Sequence, residues 1–343
     1  MKPSAIISIT LLAVLLLSFG ALAHVPLSAR GNDNITSALH ISDAAKSFAI
    51  YGRLDSGEVH YYRLDMQKGD IISLSLFVSA SPKELDFRPG MVLYGPGIKS
   101  EGPLPQGLAF PPEKASGAMT IPGTRAESAT YEPFAPSSFV QMANVSLSAP
   151  QTASFIVAVF SGNTSGHYGL ATGYREEFSF MERITAPIQL ISVYIWEGQS
   201  PGLVLTPFIA AEIIGLLVFY WGRRTAYRMA GTLGGFLFLA TPASVFMQMV
   251  FSLTRAPFGP DVYITLVIAV FHVLLGVAAI RLAGGEAGIL HRVLLAVLGT
   301  MALLAGSGLI LGPLLAIAGS LLPSRKLPNL ADHMKRDIRF ERP

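Results

Sequence analysis

The sequence predicts an exported all-β sandwich followed by an all-α transmembrane domain of four to five helices. Three observations carry that expectation: a leader-like apolar start, alternating segments between residues 47 and 174, and long apolar runs after Pro201. Of the 343 residues 51% are hydrophobic and only 14% charged, and charge divides unevenly along the chain. Residues 24–200 carry 12 Lys/Arg against 16 Asp/Glu, a net of −4, whereas 201–343 carry 12 against 6, a net of +6. A basic excess confined to the apolar half fits membrane topology, so nucleic acid is not an expected partner.

The first element, 1–23, has Lys2, the run "AIISITLLAVLLLSFGALA", and Ala21 and Ala23 at the small-residue positions of a cleavage site. That is the pattern of a signal peptide. Cleavage after Ala23 would make His24 the mature N-terminus, joining an α-amine and an imidazole on one residue, both metal donors when neutral. The chain has no cysteine, which excludes disulfides, thiolate metal sites and cysteine nucleophiles. Asn34, Asn144 and Asn163 begin N-x-[ST] sequons and are three of the four asparagines in the exported part. They are expected glycosylation sites and point to an archaeal or eukaryotic glycoprotein.

The exported domain is expected over 24–175. "SFAIYGRL", "VHYYRLDM", "DIISLSLFV" and "GMVLYG" read as strands, separated by "DSGE", "QKGD" and "DFRPG". Tyr62, Leu64 and Met66 alternate with Tyr61, Arg63 and Asp65, and Ile72, Leu74, Leu76 and Val78 form a second apolar face. Period-two alternation describes half-buried antiparallel strands. A further hairpin, "ASFIVAVFSG" and "HYGLATGY", closes around "GNTSG".

The stretch "GRLDSGEVHYYRLDMQKGDIISLSLFV" resembles the core of the pre-peptidase C-terminal-like (PPC-type) domain, and "SGHYGLATG" resembles its closing Gly-x-Tyr-x-Leu hairpin. The resemblance covers about 45–98 and 152–174. It implies a jelly-roll-like sandwich that acts as an accessory or binding module. Residues 99–150 depart from that pattern as an insertion rich in Pro, Gly, Ala and Ser. Its aromatics Phe110, Tyr131, Phe134 and Phe139 favour a segment folded onto the sandwich over a partner-binding lid.

Residues 176–200 form the linker, whose Phe180, Tyr194 and Trp196 with mixed charges suit either a membrane-interface segment or a packed connector. Membrane helices are expected over 201–322, with spans at 202–221, 229–253 and 263–283. The last apolar stretch, 293–322, is long for one helix and short for two. Two short spans turning near "GSG" would keep the basic tail, 323–343, on the side of Arg281 and Arg292; one tilted helix is the alternative. Arg223, Arg224 and Arg228 place the first loop in the cytoplasm, giving a multi-pass plasma-membrane protein with its N-terminal domain outside and its tail inside.

Chemistry-bearing groups are sparse. His24, with His60 and His167 as further ligands, forms a candidate copper site that resembles histidine-brace proteins only at the N-terminal histidine. Within the predicted spans, Glu212 and His272 are a candidate intramembrane polar pair. No G-x-S-x-G, H-E-x-x-H, Walker or dinucleotide motif occurs, which argues against an ordinary hydrolase or nucleotide enzyme. The expected role is non-catalytic, that of a cell-surface binding or assembly protein with the lipid bilayer and a protein or glycan as partners. The alternatives are a membrane copper protein or oxidase subunit using His24, and a small transporter or channel subunit using Glu212 and His272.

Overall fold

The computed structural model describes residues 24–108 and 117–325. The expected signal peptide, Phe110 and the basic tail from Lys326 lie outside the described residues. Among the described residues, eleven strands are followed by six α-helices. The strands are β1 (Val25–Ser28), β2 (Leu39–Ile41), β3 (Phe48–Leu54), β4 (Val59–Met66), β5 (Ile71–Ser79), β6 (Gly90–Gly95), β7 (Gly117–Ile121), β8 (Thr130–Glu132), β9 (Ser137–Ser148), β10 (Ala153–Phe160) and β11 (Gly166–Thr172). They form a six-stranded sheet of order β1-β3-β11-β5-β9-β8 and a five-stranded sheet of order β2-β4-β10-β6-β7.

Side chains from both sheets enter one core, which makes the region a sandwich. From β4 come Tyr62, Leu64 and Met66, and from β5 Ile72, Leu74, Leu76 and Val78, as alternation requires. β10 adds Phe155, Val157 and Val159, and β11 adds Tyr168 and Leu170. All ladders are antiparallel except β1 with β3 and β2 with β4. The expected insertion contributes β7, β8 and β9 to the sheets. β9 pairs with β5 from Ile71↔Ser148 to Ser79↔Phe139, and it carries Val140 and Met142 into the core.

Helix α1 (Phe180–Trp196) opens on a capping box in which the Ser179 hydroxyl accepts from the Glu182 amide and Glu182 accepts from the Ser179 amide. Three further helices are long and apolar enough to cross a membrane: α2 (Pro201–Tyr220), α3 (Ala226–Leu253) and α4 (Asp261–Gly284). The last apolar stretch is two helices, α5 (Ile289–Leu304) and α6 (Leu311–Leu321). At 1.5 Å per residue they are about 24 and 16 Å long, against about 30 Å of hydrocarbon.

The described residues divide into two compact units. One comprises 205–244 and 268–325; the other comprises 24–204 together with 245–267. In the helical unit Tyr227, Phe238, Leu275, Ala279, Leu295, Ala302 and Ala316 share a core. Small residues bring backbones together there: a Cβ on Gly234 would meet the Gly312 carbonyl at 2.9 Å, and one on Gly299 would meet Ile317 at 2.7 Å. Gly306 and Gly308 have φ of +70° and +73°, which permits the reversal between α5 and α6. Arg292, in the first turn of α5, donates to the Ser320 and Leu322 carbonyls at the end of α6, at 2.7 and 2.8 Å. The two helices thus form a hairpin, and its far end returns to the side on which it began.

Candidate functional site

The three histidines expected to gather around a metal are engaged separately. His24 Nδ1 contacts the Ser47 hydroxyl. His60 projects inward from β4, on the same parity as Tyr62, and its Nδ1 lies 2.7 Å from the Tyr168 hydroxyl, with Nε2 3.4 Å from Glu58. His167 Nδ1 lies 2.8 Å from Oε1 of the buried Glu84, whose other oxygen accepts the His167 amide. Among the described residues no three His, Asp or Glu side chains are grouped as a metal site would require. His60 belongs instead to an interior chain in which the Tyr62 and Tyr168 hydroxyls meet across the sandwich, tying β4 of one sheet to β11 of the other.

Glu212 and His272 are likewise apart in their bonding. His272 Nδ1 lies 2.7 Å from the Ile268 carbonyl and Nε2 lies 3.2 Å from that of Ala305. Glu212 Oε1 is enclosed with no hydrogen-bond partner among the described residues. The three sequon asparagines are all exposed, and Asn32, the fourth asparagine of residues 24–200, is fully buried and donates to the Tyr61 carbonyl.

A polar cluster that sequence reasoning did not single out lies in the sandwich-bearing unit. Glu197, Gln199 and Gln248 are 4%, 6% and 0% exposed. Gln199 Nε2 donates to Gln248 Oε1 at 2.6 Å, and Gln248 Nε2 donates back to Gln199 Oε1 at 2.9 Å. Glu197 Oε1 accepts the Ser138 amide of β9 at 3.2 Å, and Gln199 Nε2 stands 3.5 Å from its other oxygen. A second strand-to-helix contact runs parallel to it. Thr265 donates to the Pro133 carbonyl at 2.7 Å and so accepts from the Tyr131 hydroxyl, also 2.7 Å away. Around it Tyr131, Met249, Ala256 and Val262 form a small apolar cluster.

Burial governs the electrostatics of this cluster. It raises Glu197 to about 7, opposed by the Ser138 hydrogen bond, the nearby Arg255 charge and the Gln199 amide. It also raises Glu132 to about 7, opposed by the Phe134 amide and reinforced by the Asp261 and Glu176 charges. Tyr51 and Tyr194 are pushed up by burial first and then by the Glu132 and Glu197 charges. Burial thus favours the protonated forms of both carboxyls, which can donate hydrogen bonds. The sequence did contain a signal, a polar "EGQS" directly before Pro201 and a lone Gln248 in an apolar helix, but not the pairing of the two.

Next to this cluster a cleft of about 190 Å³ is lined by Pro26, Leu27, Tyr51, Gln189, Ser192 and Trp196. It is smaller than the roughly 300 Å³ at which small-molecule pockets usually begin. No model of a known protein family matches this chain, and comparison with curated proteins finds no match.

Proposed function

We propose that the protein is a membrane-anchored, cell-surface binding or assembly protein whose exported sandwich contacts a protein or glycan without catalysing a reaction. The observation that carries this reading is the buried joint. Through Glu197–Ser138, Gln199–Gln248 and Tyr131–Thr265, the sandwich and residues 245–267 form one compact unit. A sandwich joined in this way to residues 197–199 and 245–267 keeps a surface of fixed shape, which suits docking and assembly. The PPC-type resemblance, with its accessory-module role, supports the same reading.

In this proposal the segment 1–23 is removed after Ala23, the sandwich faces outward, and Asn34, Asn144 and Asn163 carry glycans in an archaeal cell. Three crossings by α2, α3 and α4 followed by the returning α5–α6 hairpin would leave the basic tail in the cytoplasm. That satisfies the positive charge of Arg223, Arg224, Arg281 and Arg292 on one side.

The test is photo-crosslinking from exposed sandwich positions in native membranes, with wild type, His24→Ala and Glu212→Gln in parallel. A defined cross-linked partner retained by both variants is the expected result. Stoichiometric copper with a nitrogen-split paramagnetic signal lost in His24→Ala would replace this reading with a copper protein. Ion flux lost in Glu212→Gln would replace it with a transporter.

A further inference from the structure

Among the described residues, helix α1 leaves one face without a partner. At 100° per residue, Phe180, Ile191, Ile184, Ile195, Ile188 and Met181 fall within an arc of about 100°. Phe180, Met181, Ile188 and Ile195 are 60%, 63%, 43% and 40% exposed. No charged residue lies within the arc, which is bordered by Ser192 and Thr185 on one side and by Pro187 and Tyr194 on the other. An apolar stripe of this length is unusual on a surface that meets only water.

The helix cannot roll to bury it. At its first turn Lys46 donates to both oxygens of Glu182, at 2.6 and 2.7 Å. At its last turn Trp196 packs edge-on against Tyr51 and Phe77, with centroids at 5.0 and 6.1 Å, and its indole donates to the Gly52 carbonyl at 3.1 Å. Val193 and Tyr194 are buried between these ties. The sandwich thus holds the opposite face, and the stripe is fixed outward.

Chain continuity identifies the occupant. Only residues 197–200 separate Trp196 from Pro201, where the candidate span α2 begins. Five residue steps reach at most about 18 Å, so the end of α1 lies at the membrane boundary. We infer that α1 is an interfacial helix whose stripe of Phe180, Met181, Ile184, Ile188, Ile191 and Ile195 inserts among the lipid headgroups and upper acyl chains. The sandwich would then rest on the bilayer surface through α1 as well as through the spans. This inference depends on the membrane assignment of α2 and not on the binding role proposed above.

The cysteine-free chain makes the test direct. Single-cysteine variants M181C, I188C and I195C of the full chain, spin-labelled in phosphatidylcholine–phosphatidylglycerol vesicles, are compared with K68C on an exposed turn and I214C on the exposed face of α2. Relaxation by oxygen over a water-soluble nickel reagent should dominate at 181, 188 and 195, as at 214, and reverse at 68. Nickel access at the three stripe positions equal to that at 68 would overturn the inference. Shielding from both reagents with spin–spin broadening would also overturn it, in favour of a second copy on the stripe. A label at 214 that reports water would sink the membrane assignment itself, so the two failures are separable. Each labelled variant must unfold thermally as the wild type does, which these exposed positions favour.

Discussion

Gln199 and Gln248 exchange two hydrogen bonds, each amide donating to the other's oxygen, although 49 residues separate them. Neither is exposed enough for water to replace its partner. The pair satisfies a lone amide in an apolar helix and, in doing so, fixes where residues 245–253 sit in the sandwich-bearing unit. Removing one member should therefore be worse than removing both. Gln248→Leu should destabilise by about 1–3 kcal/mol, because Gln199 stays buried, loses both bonds to Gln248 and keeps only the 3.5 Å contact of its Nε2 with Glu197. The double variant Gln199→Leu/Gln248→Leu should recover part of that loss. Denaturant unfolding in detergent, arranged as a double-mutant cycle, reads the coupling.

The raised carboxyls Glu197 and Glu132 predict a pH dependence opposite in sign to that of salt-bridged acids. Each is held at about 7 in the folded chain, mainly by burial, against 4.5 as its ordinary value. The folded state then binds more protons, so the favourable contribution is complete below about 4.5 and is lost as pH rises through about 7. At 1.4 kcal/mol per pH unit the rise from 4.5 to about 7 sets an upper bound of roughly 3.5 kcal/mol for Glu197. The wild type should resist unfolding better at pH 5.5 than at pH 8. Glu197→Gln should flatten that slope, and an unchanged slope would show that Glu197 is ionised throughout.

Tyr168 is the hub of the interior chain, since both His60 and Tyr62 meet its hydroxyl. Tyr168→Phe should remove a partner from two buried groups, the His60 Nδ1 and the Tyr62 hydroxyl, which keeps only Asn32, and cost about 2–3 kcal/mol, whereas Tyr62→Phe leaves the His60 contact intact and should cost about 1 kcal/mol. Equal losses in thermal unfolding would mean that the hydroxyls act independently.

Most of the central sandwich strands were legible because period two survives in them. The segments read at 47–54, 59–66, 70–78, 90–95, 153–162 and 167–174 correspond to β3, β4, β5, β6, β10 and β11. β9 was hidden by its own irregularity. Opposite Leu76 and Phe77 the pairing passes from Ala143 to Gln141, leaving Met142 as an extra residue. That bulge moves the apolar parity from Val140 and Met142 to Val145 and Leu147, so no single alternation runs through the strand. β1 and β2, of four and three residues, are too short for a period to show.

The joint was invisible for a different reason. Ser138 and Glu197 are 59 residues apart, and neither type in isolation signals burial. By contrast, the glycines of "AGTLGG" and "GSGLILGP" do announce close helix packing, and Gly234 does approach Gly312. The histidines show the limit of reading single residues. His60 shares the strand parity of Tyr62, but the Tyr168 hydroxyl that engages it is 108 positions away.

Gly169 tests whether the aromatic support of α1 is as tight as its geometry implies. It lies on β11 opposite Phe77 of β5, and a Cβ placed on it would fall 2.1 Å from that ring. The Phe77 ring in turn packs against Trp196, Tyr51 and Phe139. Gly169→Ala must push Phe77 outward into this group, because the β11 backbone is held by β3 and β5 on both sides. Overpacking of this kind should cost about 1–3 kcal/mol. The strain should be relieved by Phe77→Leu in the same chain, whose smaller side chain vacates the contested space. Full stability in Gly169→Ala alone would mean that the ring has room to move, and that Trp196 is held mainly by its hydrogen bond to Gly52.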